Sequence, residues 1–271
     1  MRTPRLYLPV PLVPGAMAPL DGDAFSHAVR VLRLKPGAPL VLFDGSGRAF
    51  AAILAEIGKR DALARVTEAL PGEVESPVPV VLVQGVSRGE KMDYTLQKAV
   101  ELGVVAIQPV FAERGGVHLA GERLERKTQH WRRIAIGACE QCGRNRLPDL
   151  GEPLPLADWL SRLASVDPSG ASRHSSLPLP RDVPEVWENP QGQGLRLLLD
   201  PLADQGLRGL QPPSGPVTVL IGPEGGLSPA EIARARAARF TSVRLGPRIL
   251  RTETAGVAVL AAVQALWGDW E

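Results

Sequence analysis

The side chains best placed to do chemistry in this chain sit in and around two glycine turns. The first lies within Val217 to Ala235, VTVLIGPEGGLSPAEIARA. Val217, Val219, Leu220 and Ile221 form an apolar run rich in β-branched residues, which predicts a buried strand. Gly222-Pro223-Glu224-Gly225-Gly226 cannot continue a strand or a helix and must turn. Ser228 then reads as an N-cap, Pro229 as the first helical residue and Glu231 as the partner that closes a capping box. Bare glycine backbone beside a helix N-terminus lets a ligand approach closely. The turn carries an acid, Glu224, and no lysine, and it matches neither GxGxxG nor GxxxxGK[ST]. Glu224 would repel a di- or triphosphate, so a nucleoside without phosphates suits the turn better. Taken alone, the Gly-Gly pair reads first as an ordinary strand-to-helix turn. A second unit follows the same scheme: VRLGPRILRTET, Val243 to Thr254, runs from an apolar strand through a Gly-Pro turn, and AGVAVLAAVQALW continues it as a helix from about Ala255 to Trp267. In open α/β sheets ligands bind beyond the carboxyl ends of the strands, so two such turns can share one pocket.

IGPEGGLS followed by LGPRILRTET resembles the ribosomal small-subunit methyltransferase E family, a branch of the SPOUT RNA methyltransferases. The resemblance covers nearly the whole chain outside Ser165 to Gly194. It implies a parallel-sheet α/β domain with a C-terminal trefoil knot that binds S-adenosylmethionine. It also implies a homodimer that methylates N3 of a uridine in 16S ribosomal RNA, and a small N-terminal PUA-like β-barrel. The cofactor residues it suggests are Leu199, Ile221, Gly222, Pro223, Glu224, Gly225, Gly226, Leu245, Gly246, Ile249, Leu250 and Thr252. Methyl transfer from a sulfonium is an in-line displacement, in which positioning supplies much of the rate. The N3–H of uridine is weakly acidic, so a base that removes the proton or a cation that stabilises the anion would help. Arg251 and Glu253, placed in the loop before the last helix, are the candidates; Glu253 reads equally as a helix-capping acid. EQCGRN, Glu140 to Asn145, resembles the family's block on the substrate side, which adds Glu140, Arg144 and Asn145.

The elements that must carry these turns follow from pattern and composition. The chain has 271 residues, 44% hydrophobic and 22% charged, with net charge +2. That is an ordinary globular balance, so any nucleic-acid surface must be local. Residues 1–72 read as a β-rich unit: a short amphipathic helix in DAFSHAVRVLRL with Phe25, Val29 and Leu32 on one side, then a hairpin around Asp44-Gly45-Ser46-Gly47. Arg2, Arg5, Arg30 and Arg33 are either RNA contacts or a solvated basic face. PGEVESPVP, Pro71 to Pro79, is a linker by composition. From residue 79 to 271 strands and helices alternate: VVLVQGV, a loop SRGEK whose Arg88 and Lys91 either face RNA or are simply solvent-exposed, a helix to Gly103, and VVAIQPV, which together predict a right-handed parallel crossover. Arg123 to Arg144 reads as a basic helix whose apolar side is Trp131, Ile134, Ala135 and Ala138. Residues 165–194 are dense in Ser, Pro and Gly and read as a surface insertion. The last helix is apolar almost all round, as expected of a core helix or half of a dimer interface.

Several classes are disfavoured. Cys139 and Cys142 form a lone CxxC late in a helix, with no second pair and scattered histidines, so no metal site is expected. Two cysteines suit a reducing cytosol, no run is long enough to span a membrane, and the proline-broken N-terminus does not read as a signal peptide. A cytoplasmic enzyme is therefore expected, with 16S ribosomal RNA or the small ribosomal subunit as its partner. Two other readings stay open: a SPOUT-type ribose 2′-O-methyltransferase, and a non-catalytic RNA-binding assembly factor.

Overall fold

A computed structural model describes residues 3–117, 119–165 and 194–270. Arg2, and all of the 165–194 insertion except its two end residues, lie outside them. The chain folds as two compact units, one of residues 1–75 with 136–147 and one of residues 76–135 with 148–271.

In the first unit, period-two burial sets the strands. They are β1 (Arg5–Tyr7), β2 (Met17–Leu20), β3 (Pro39–Phe43), β4 (Ala49–Ile57) and β5 (Ala62–Leu70), in sheet order β1-β3-β4-β5-β2. All pairs are antiparallel except β1 with β3. Register shifts between β4 and β5 mark bulges, which bend a sheet and let it curl. Leu6, Leu20, Leu40, Leu42, Phe50 and Leu54 face one core. The expected hairpin turn is present: the Asp44 carboxylate accepts the Ser46 N–H at 3.0 Å, and Gly45 and Gly47 take positive φ. The expected helix is α1 (Gly22–Phe25), which widens into a π-turn over Ser26–Val31, where Leu32 N–H reaches back to the His27 carbonyl at 2.9 Å. The wider turn rotates Leu32 off the core face, so that it is exposed while Phe25 stays buried.

The second unit is built on a parallel sheet. Its elements are β6 (Val80–Gly85), α2 (Lys91–Glu101), β7 (Val104–Phe111), α3 (Glu122–Cys142, whose last seven residues belong to the first unit), β8 (Asp149–Leu150), β9 (Leu154–Pro155), α4 (Leu156–Ser165), β10 (Leu195–Leu199), β11 (Val217–Ile221), α5 (Pro229–Ala237), β12 (Thr241–Val243) and α6 (Thr252–Trp267). The order is β12-β10-β11-β6-β7-β8, with β9 beside the end of β7 and every pair parallel. Central strands covered on both faces need apolar residues at every position, and β6 is buried throughout. Val81 and Val83 pack with Leu160, Leu220, Ala235 and Phe240. On α6, Gly256 allows close approach to α2: a Cβ there would lie 3.3 Å from Thr95 Cγ2.

Candidate functional site

The two glycine turns follow β11 and β12, and the β10 turn lies between them in the sheet order. Each predicted cofactor residue is in this second unit. The Ser228 capping box is formed as expected: Glu231 N–H donates to Ser228 Oγ at 3.1 Å and Ser228 N–H to Glu231 Oε2 at 2.8 Å. Glu231 does more than cap. Its other oxygen accepts the Glu113 N–H at 2.8 Å and so fixes the loop after β7.

That loop changes the reading of one glycine. A Cβ on Gly225 would overlap the Arg114 carbonyl oxygen and lie 3.1 Å from Arg114 Cβ, so the bare side of Gly225 is used against protein. Gly226, at φ +69°, has open space where a Cβ would be, and so does Gly246 at φ +71° apart from the far end of Arg248. Gly85 ends β6 directly under the turn, and a Cβ there would come within 2.6 Å of Pro223 Cδ.

The turn is held from below by a relay. Thr252 Oγ1 donates to the Gly222 carbonyl at 2.6 Å and accepts from Gln84 Nε2 at 2.9 Å. A hydroxyl has one proton, so the bond to Gly222 sets the direction of the other. Gln84 is fully buried and also donates to the Gly85 carbonyl at 3.0 Å. Thr252, a sequence candidate, thus spends its hydroxyl on the turn. Gln84 was not among the candidates; a lone polar residue in a strand buried on both faces is the signal that could have found it.

Glu224 accepts both the Arg88 N–H at 3.0 Å and Lys91 Nζ at 3.1 Å. Burial would raise its pKa, but these bonds and its own backbone N–H outweigh burial and hold it below the usual carboxylate value. Lys91 is therefore paired within the site. Arg88 uses only its backbone in this contact.

Helix α6 begins three residues earlier than expected, because Arg251 adopts extended angles and its carbonyl takes the Ala255 N–H at 2.8 Å. Glu253 consequently lies in the first helical turn, not in a loop. Its Oε2 is shielded and has no hydrogen-bond partner among the described residues. Arg251 is exposed at the N-cap, Leu199, Leu245 and Leu250 are partly buried, and Ile249 is 83% exposed.

The remaining candidates lie in the first unit. Glu140 accepts the Tyr7 N–H at 3.0 Å and faces His27 Nδ1 at 3.2 Å; burial pushes its carboxyl upward against those partners. Arg144 is buried on Glu75, with Nε 3.0 Å from Oε2, and Arg5 donates to the Arg144 carbonyl and to Asn145 Oδ1. Arg30 and Arg33 are exposed, Arg33 in the left-handed region at φ +53°. Burial pushes the Cys139 thiol up to about 12, which leaves it protonated and inert.

Comparison with known proteins agrees with this architecture. The profile of an RNA methyltransferase domain matches residues 74–264, and that of an RNA methyltransferase PUA domain matches residues 20–67. A ribosomal RNA small subunit methyltransferase E from Buchnera aphidicola subsp. Schizaphis graminum is 31% identical over 99% of this chain and 98% of its own. One from Mycobacterium tuberculosis is 31% identical over 95% and 89%. The Neisseria gonorrhoeae enzyme of that name, solved bound to S-adenosyl methionine, is 36% identical with TM-score 0.83, covering 100% of both chains. A Legionella pneumophila protein solved with the same cofactor gives 36% and 0.84, again over 100% of both. This chain belongs to the ribosomal RNA small subunit methyltransferase E family of RNA methyltransferases.

Proposed function

We propose that this protein transfers the methyl group of S-adenosylmethionine to N3 of a uridine in 16S ribosomal RNA of the small subunit. The observation that carries the reading is the Gly222–Gly226 turn, fixed from below by Gln84 and Thr252 and open at Gly226. Its residues fit the cofactor. Glu224 is held ionised without a free cation in the turn, which disfavours phosphate and suits a nucleoside that carries a positive sulfonium. The exposed side chain of Ile249 and the open backbone of Gly226 and Gly246 are the surfaces that would receive an adenosine. When bound, the cofactor supplies an activated methyl group.

The chain's own groups then serve the acceptor base. Glu253 offers a shielded oxygen with nothing to accept from among the described residues, which suits it to take a hydrogen bond or the N3 proton. Arg251, exposed at the adjoining N-cap, is placed to stabilise the anion. A ribose hydroxyl is less acidic than N3–H and would ask more of this pair. The names of the relatives, small subunit methyltransferases over nearly their whole length, support the RNA substrate. The outward face of α6, with Ala258, Ala261, Ala265 and Leu266 partly or fully exposed, is the surface we assign to a second copy. The knot of the family belongs to the loops after β11 and β12, and the reaction to the cytoplasm. Among the described residues no helix is long and apolar enough to cross a membrane.

The test is nucleoside mass spectrometry on small-subunit ribosomal RNA from cells with and without the gene, paired with calorimetric titration of S-adenosylmethionine. Loss of 3-methyluridine without the gene is the expected result. Loss of a 2′-O-methyl nucleoside instead would replace the base reading with the ribose one. Absence of any heat with the cofactor would favour a non-catalytic RNA binder.

A further inference from the structure

A second concavity lies off the carboxyl ends of β6 and β7, outside the two glycine turns. It measures about 490 Å³ and opens to solvent between the loop Val86–Glu90, the loop around Gly116 and the flank of α3. Its size lies within the range typical of ligand sites. Its back wall is rigid. Asp93 on α2 accepts three hydrogen bonds from α3: Lys127 Nζ at 2.9 Å, Trp131 Nε1 at 3.1 Å and His130 Nε2 at 2.7 Å. Trp131 is fully buried, so the ring fixes the wall and offers no face for stacking. Lys127 is committed to Asp93 and neutralises it.

Among the described residues one cation lining this concavity is uncommitted. The Arg88 guanidinium has no acidic partner among the described residues, although the exposed Glu90 lines the same cleft. It lies across the backbone of Gly116, where a Cβ would come within 2.6 Å of Cζ and of Nε. Only glycine at 116 leaves the guanidinium that bed. The Arg88 N–H is bound to Glu224 of the cofactor turn, so the main chain of Arg88 is fixed to the turn while its side chain faces the cleft.

A planar guanidinium above bare backbone, in a cleft open on one side where Lys127 offsets Asp93, matches a phosphodiester better than a base or a cation. We infer that this cleft is a subsite for one backbone phosphate of the RNA strand near the methylated nucleotide, with Arg88 as its charged contact and Gly116 as the residue that seats Arg88. The inference rests on RNA being the substrate, and it gives the strand a fixed point beside the cofactor turn.

The test is the salt dependence of binding to a single-stranded RNA fragment of the small-subunit sequence, measured by fluorescence anisotropy on the full chain. Each phosphate neutralised on a single strand contributes about 0.7 to the slope of log K against log salt. Arg88→Gln should lower that slope by about 0.7. Gly116→Ala, which displaces only the far end of Arg88, should lower it by a similar amount. Arg88→Lys should restore most of the slope and only part of the affinity. S-adenosylmethionine titration should be unchanged in Arg88→Gln, because the bond to Glu224 uses the backbone. Wild-type slopes and affinities in both Arg88→Gln and Gly116→Ala would overturn the subsite. Wild-type RNA binding without methylation would count against the proposed reaction while leaving the slopes to decide the subsite. No RNA binding by the wild type would overturn both.

Discussion

Replacing Thr252 with valine removes a hydroxyl and keeps the shape, and it should loosen the Gly222–Gly226 turn. The hydroxyl serves two bonds, to the Gly222 carbonyl at 2.6 Å and from Gln84 at 2.9 Å. Thr252 and Gln84 are both buried, so water cannot replace what is lost. Each bond contributes about 1 kcal/mol net, and a buried group left unpaired adds to the loss, so the substitution should destabilise by about 2–3 kcal/mol. For a unit of this size that corresponds to a fall in melting temperature of about 4–12 °C. If about 1–2 kcal/mol of it appears in binding, S-adenosylmethionine affinity should drop about 5- to 30-fold. Calorimetric titration and thermal unfolding read the two effects separately. Thr252→Ser keeps the hydroxyl and should stay close to wild type. In the double variant Gln84→Leu with Thr252→Val neither side chain is left facing a missing partner, so its stability loss should be smaller than the sum of the single losses while affinity stays low. Wild-type affinity in a folded Thr252→Val protein, or additive losses in the double variant, would refute the relay.

Three further outcomes follow from other parts of the chain. Arg239 occupies the left-handed residue of a Schellman end to α5, with Phe240 N–H on the Ala235 carbonyl at 3.0 Å and φ +65°; Arg239→Gly should raise stability by about 1 kcal/mol, read by urea unfolding, and a loss would refute the assignment. Asp93 and Glu224 are both held below their ordinary values, their hydrogen bonds outweighing burial, so their stabilisation is complete above roughly pH 5 and is lost as pH falls through the folded values; Asp93→Asn should flatten that acid limb in a melting-temperature profile, and an unaltered limb would count against it. Arg144, 4% exposed on a Glu75 that is 15% exposed, is a structural ion pair; Arg144→Met should destabilise by about 3 kcal/mol, because it strands a largely buried carboxylate, whereas an effect on RNA binding with full stability would mark Arg144 as a contact residue.

The strands and helices around the site were legible because their signals are local. Ser228, Pro229 and Glu231 spell a helix start, and their bonds form as the types require. VVLVQG and VTVLI read as buried strands because a sheet covered on both faces needs unbroken apolar runs. The start of α6 was misplaced because Arg251 is a poor N-cap by type: its backbone, not its side chain, caps the helix. The roles of individual polar residues were less legible, since partners lie far apart in sequence. Gln84 meets Thr252 across 168 positions and Glu231 meets Glu113 across 118. Gly225 shows the same limit. Its lack of a Cβ is visible in sequence, but that the space is taken by Arg114 is not.

Charge is where sequence and structure part most usefully. A basic residue in a candidate RNA-binding protein invites assignment to RNA, yet three of the candidates are consumed internally. Arg5 donates to the Arg144 carbonyl and Asn145, Arg144 is paired with Glu75, and Lys91 is paired with Glu224. Arg30, Arg33, Arg88 and Arg251 carry no acidic partner among the described residues. Each candidate consumed internally removes one possible phosphate contact, and counterion release scales with the number of phosphates neutralised. The shape of the RNA and contacts to an unstacked base then carry a larger share of the affinity. A random single strand gains less from such a surface, because no base is presented in the required geometry. Pairing of basic candidates inside the protein is thus itself a source of selectivity: it takes their charge out of binding that ignores sequence and shape.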